Sequence, residues 1–259
     1  MSAERVVLLE RKSAVLRITI NRPERRNALT DEVLNGIADG FRQAEREQEI
    51  RVVVLTGAGD RAFCAGADLE PGKNFAFDCG RPTTPYADLA RLASCSRVPS
   101  IARINGACVA GGLGLAAITD LAVASSTAVF GLPEVRVGLF PMQVYALLQD
   151  LVPKRLLREW TLCGERFDAE VARQSGLVNH VVAPEDLDAA VDRITSQILA
   201  GSPVAIRRGL WAMKQMNGRS LDDALAFGEA QIGPTAQTDD AAEGIRAFGE
   251  KRQPRWVPK

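Results

Sequence analysis

Residues 109–120 read VAGGLGLAAITD, a stretch with three glycines and no charged side chain before Asp120. Nothing else in the chain constrains its fold so tightly, because a backbone this bare must approach something closely. A membrane, a neighbouring helix, a phosphate and a substrate oxygen are the alternatives. The uncharged run containing it extends only from 104 to 119 and is interrupted by glycine. A spanning helix needs about 20 apolar residues, so the membrane is excluded.

The flanking sequence predicts a β-rich α/β core. VVLLER and AVLRITI, on either side of Lys12 and Ser13, form a hairpin pattern. RVVVLTG, at 51–57, is a nearly unbroken apolar run, as expected of a strand covered on both faces. Between them, Thr30 is placed to cap a helix with Asp31 and Glu32 in its first turn. Val33, Leu34, Ile37, Phe41 and Ala44 then share one face. A helical segment near 87–95 and strands in PSIARING, DLAVAS and AVFG continue a strand–strand–helix rhythm.

From about residue 143 the pattern turns helical. Leu187, Val191, Ile194 and Ile198 make an apolar stripe, and helices follow at 203–216 and 219–230, with a last one ended by Pro254. The expected division is a core over 1–195 and a helical region over 196–259. The later helices need a surface to cover, either their own core or a partner subunit.

Composition narrows the function. Lys plus Arg and Asp plus Glu balance at 32 each, which argues against nucleic acid as a partner. Five cysteines without a C-x-x-C pair, and a single histidine, argue against a disulfide framework or a zinc site and for a reducing compartment. Charges interrupt the apolar residues of MSAERVVLLERK, so it does not read as a signal peptide; a cytoplasmic location is expected.

Three segments carry candidate chemistry. In RAFCAGADLE, at 61–70, small residues at 64–67 let another molecule reach the main chain, and Asp68 is placed to cap a following helix. In 109–120, residues 112–117 match the dinucleotide pattern G-x-G-x-x-A. The mid-chain position and the hairpin-like strands before it disfavour that reading. It leaves tight helix packing or a free N–H that polarises a carbonyl. In FGLPEVRVGLFP, at 130–141, Glu134 follows Pro133 and is flanked by Leu132, Val135 and Val137. Such a carboxyl is either solvated surface or a desolvated acid–base group with a raised pKa.

Taken in order, NRPERRNAL, RAFCAGADL, NGACVAGGLGLAAITDLAVAS, FGLPEVRVGLFP, GLVNHVV and DAAEGIRAFGEKRQP resemble the crotonase (enoyl-CoA hydratase/isomerase) family, from about residue 5 to 256. The resemblance implies a (ββα)n superhelix core with a C-terminal helical trimerisation region, and a homotrimer or homohexamer. It implies an acyl-CoA substrate, with coenzyme A as part of it and no separate cofactor. The backbone N–H groups of Ala67 and Gly111 would hold an enolate oxygen. Arg26, Ala28, Ala65, Asp68 and Leu69 would contact the CoA portion, and Phe248 and Lys251 that of a neighbouring subunit.

The family's hydratases usually carry a first glutamate where this chain has Gly114; only the second, Glu134, is present. Hydration of a 2-enoyl-CoA and isomerisation of a 3-enoyl-CoA on Glu134 alone are both implied. A homologue that binds CoA without catalysis is a further alternative. After Pro141, MQVYALL replaces a glycine-rich run, which makes Met142, Gln143 and Tyr145 candidates to line the acyl pocket beside Gly114, or else helix core.

Overall fold

A computed structural model describes residues 5–68, 80 and 83–256. The chain opens with the expected hairpin. β1 (Val7–Lys12) and β2 (Val15–Ile20) pair antiparallel across Ser13, whose φ is 55°. α1 (Asp31–Arg46) begins where Thr30 accepts the Val33 N–H, and it buries the predicted face.

Strands then leave in pairs. β3 (Val52–Gly57) is followed by β4 (Ala62–Cys64), then α2 (Pro85–Cys95). β5 (Ser100–Ile104) is followed by β6 (Ala107–Val109), then α3 (Gly111–Ala117). β7 (Leu121–Ser125) is followed by β8 (Val129–Gly131). The first strand of each pair joins one sheet and the second joins another. With two later strands, β9 (Arg166–Asp168) and β10 (His180–Val182), the sheets run β1-β2-β3-β5-β7-β10 and β4-β6-β8-β9.

The remaining elements are α4 (Met142–Leu148), α5 (Lys154–Cys163), β9 (Arg166–Asp168), α6 (Ala169–Gln174) and β10 (His180–Val182). They are followed by α7 (Leu187–Ala200), α8 (Pro203–Met216), α9 (Leu221–Ala236) and α10 (Asp239–Gly249). β9 and β10 depart from the all-helical pattern expected after 143. Each has three residues, too few to show alternation, and each exists because it pairs with an edge, β8 or β7.

The six-stranded sheet explains the apolar run at 51–57. Val53 and Leu55 join α1 and α2 in the main core, while Val52 and Val54 pack with Ile101 and Val123 against Leu187, Val191 and Ile194 of α7. α7 is continuous through the expected boundary at 195/196 and belongs with the sheet it covers. α8 to α10 come after that sheet is closed. α9 buries no residue, and Leu221, Leu225, Ile232, Ile245 and Phe248 stand exposed. Among the described residues no helix is long and apolar enough to cross a membrane.

Candidate active site

The smaller sheet gathers the three candidate segments. β4, β6 and β8 run parallel, with Cys64 opposite Cys108, Cys108 opposite Phe130, and Val109 opposite Gly131. Each strand therefore ends at the same edge. Ala65–Ala67 follow β4, Ala110 and Gly111 follow β6, and Leu132–Glu134 follow β8. Loops at the carboxyl ends of parallel strands are where open α/β sheets build binding sites.

At that edge the first two segments touch backbone to backbone. Gly66 has φ +88°, and a Cβ built on it would lie 2.6 Å from Ala110 Cβ and 3.3 Å from the Gly111 nitrogen. Only glycine permits both the angle and the approach. Ala110 itself is held at φ 52°, ψ −127°, a rarely populated conformation that the surrounding sheet enforces through its N–H bond to the Gly131 carbonyl, 2.9 Å. Leu29 N–H donates to the Gly66 carbonyl and Asp68 N–H to the Leu29 carbonyl, so the chain on either side of Ala67 is fixed. Among the turn, loop and cap hydrogen bonds of the described residues, none is donated by the amides of Ala67 or Gly111.

Glu134 sits in the turn after β8. Pro133 sets its helical entry, and Gly138, at φ 76°, ends it. The carboxyl is half-buried, and Oε2 has no hydrogen-bond partner. Desolvation by burial raises its pKa above the ordinary value, opposed by a bond from its own backbone. A buried acceptor left open is costly unless something else uses it.

Two further residues contact these segments, and the sequence reading missed both. Tyr86, in the first turn of α2, donates its hydroxyl to the Gly111 carbonyl at 2.8 Å. Burial, then the Cys64 and Cys108 thiols and Glu134, pushes its phenol well above the ordinary value and keeps it neutral. Burial likewise raises Cys64 to about 12, so that thiol is no nucleophile at neutral pH. Arg22 binds the Asp68 carboxylate at 2.7 Å and the Ala28 carbonyl at 2.8 Å. Both signals lie in contacts between distant segments, which no local pattern reports.

The other predicted residues divide into three groups. Arg26 and Asn27 are both left-handed, with φ 51° and 56°; Arg26 is exposed and its carbonyl accepts Ala65 N–H at 3.1 Å. That bond brings Arg26 and Ala65 together just after β4, and Ala28 lies two residues on, its carbonyl held by Arg22. The Asp68 side chain serves Arg22, and the helix expected after it falls, with Leu69, outside the described residues.

Gly114 faces Tyr86 and Val144. The α4 residue against it is thus Val144; Met142 is 71% exposed, and Gln143 donates to Thr84 Oγ1 at 2.7 Å. Phe248 is 89% exposed on α10, which packs on α8 and α9, so a single chain leaves Phe248 and Lys251 outside this cluster. Among the described residues no group of three His, Cys, Asp or Glu side chains is placed to hold a metal ion.

The family model for enoyl-CoA hydratase/isomerase matches residues 10–259. The chain belongs to the enoyl-CoA hydratase/isomerase family. It is 33% identical over 249 residues to the short-chain-enoyl-CoA hydratase of Clostridium acetobutylicum, covering 95% of each chain. It is 31% identical to the crotonyl-CoA hydratase of Syntrophomonas wolfei, covering 98% of each. The crystal structure of an enoyl-CoA hydratase of Mycobacterium smegmatis superposes with a TM-score of 0.90 at 31% identity, over 98% of this chain and 99% of that one. A likeness over 98% of this chain takes in both sheets, the smaller of which presents the three strand ends and also contributes Phe63, Cys108 and Phe130 to the core.

Proposed function

We propose that this family member hydrates a 2-enoyl-CoA to a 3-hydroxyacyl-CoA. The Ala67 and Gly111 amides bind the thioester oxygen, and Glu134 is the proton carrier. The observation that carries the reading is the Glu134 carboxyl, desolvated and with Oε2 unpartnered, at the sheet edge where two amides also lack an acceptor. As water adds to C3, Glu134 takes its proton and negative charge moves onto the thioester oxygen. The amides stabilise that charge as it forms; one such donor is worth about 2.7–4 kcal/mol of barrier. Glu134 then returns the proton to C2, which balances the addition of one water.

A second reading has its own support. Gly114 leaves no second carboxylate, and one carboxylate suffices to move a proton from C2 of a 3-enoyl-CoA to C4. Arg26, Ala28 and Ala65 are assigned to the CoA portion. The exposed apolar residues of α9 and α10 support a homotrimer or a hexamer of two trimers, in which Phe248 and Lys251 reach a neighbour's CoA. Purified protein is tested with crotonyl-CoA and 3-hexenoyl-CoA. Loss of enoyl absorbance in the first supports hydration, and its gain in the second supports isomerisation. Inertness in both, with CoA binding retained, refutes the catalytic reading.

A further inference from the structure

Position 114 is glycine for a reason visible in three dimensions. A Cβ there would stand 1.9 Å from the Tyr86 hydroxyl oxygen and 3.1 Å from its Cζ, with Val144 Cγ2 at 3.3 Å. The same ring lies 3.6 Å from a Cβ built on Gly111, and the hydroxyl grips the Gly111 carbonyl. One side chain thus touches both ends of the turn from 111 to 114. It does so where the backbone most needs fixing. Ala110 is strained and Gly111 has no side chain of its own to anchor it.

We propose that Tyr86 is a positioning residue of this site. Its phenol locks the 111–114 turn in the orientation that leaves the Gly111 amide free, and its hydroxyl takes the space a side chain at 114 would need. The inference rests on the reading in which that amide holds an enolate oxygen. It adds that a tyrosine from α2 and the residue at 114 exclude one another, so proton transfer here falls to Glu134. Because the phenol stays neutral and spends its proton on a carbonyl, its part is geometric.

Tyr86→Phe keeps the ring and removes only the hydroxyl. In the full chain it lowers kcat about tenfold, the worth of one neutral hydrogen bond, while KM and the affinity for free CoA stay unchanged. Acetoacetyl-CoA, whose enolate absorbs in the near ultraviolet, supplies a readout without turnover: the variant binds less of it as the enolate. Gly114→Ala lowers the melting temperature in the parent and much less in the Tyr86→Phe background, where the added methyl enters the vacated space. A Tyr86→Phe variant with parental kcat and enolate absorbance overturns the proposal. Equal destabilisation by Gly114→Ala in both backgrounds overturns it as well. A parent that binds the enolate but turns over neither enoyl-CoA refutes the assigned reaction instead, and the enolate absorbance of Tyr86→Phe still decides the role of Tyr86.

Discussion

Gly66→Ala strikes the contact on which the site depends. The new methyl would lie 2.6 Å from Ala110 Cβ, so the ends of β4 and β6 must part by about 1 Å to reach ordinary van der Waals distance. At φ +88° the alanine also incurs left-handed backbone strain of about 1–2 kcal/mol. Strain and clash both lower stability, and the separation also misaligns the amides of residues 67 and 111. A displacement of about 1 Å at reacting groups costs roughly 100-fold in rate, close to the loss of one donor. Gly218→Ala is the control, since Gly218 has φ +75° and nothing within 4 Å of its Cβ position. Thermal melts should show both variants destabilised, Gly66→Ala the more because its methyl also overpacks the β4–β6 contact, while kcat/KM on the turned-over enoyl-CoA collapses only in Gly66→Ala. Parental kcat/KM in a folded Gly66→Ala protein would refute the claim that the two amides act together.

Other expectations follow from the same geometry. Glu134→Gln should lower kcat by about 10²–10⁴ while CoA affinity is kept, checked by steady-state kinetics and direct titration. Because burial raises the Glu134 pKa, the folded chain holds that proton more tightly than the unfolded one. Its contribution to stability is present below the ordinary 4.5 and is lost as pH rises through the folded value. Melting temperatures of Glu134→Gln and parent should therefore diverge in the variant's favour as pH climbs through that window. In the parent, kcat/KM should rise across the same window as the base form appears, a limb absent from the variant. Arg22→Met leaves the largely buried Asp68 carboxylate unpaired and should cost about 1–3 kcal/mol in urea denaturation. An unchanged unfolding midpoint would show that the pair contributes nothing.

The sequence by itself determined the elements and the chemistry-bearing segments. The Thr30 cap, the amphipathic face of α1, the doubly buried 51–57 strand and the hairpin around Ser13 follow from local patterns of polarity. So does the bareness of 64–67 and 109–114, because a backbone that must be approached closely can carry no side chain. The three-residue strands β9 and β10 were not legible, since among the helices that surround them each is defined only by the edge it pairs with. Nor were Tyr86 and Arg22. A tyrosine in the first turn of a helix resembles any other until the fold lays its hydroxyl where a Cβ at 114 would stand. Only the parallel register of β4, β6 and β8 brings positions 67, 111 and 134 to one edge, because hydrogen-bonded pairing between distant segments is not encoded in either segment alone.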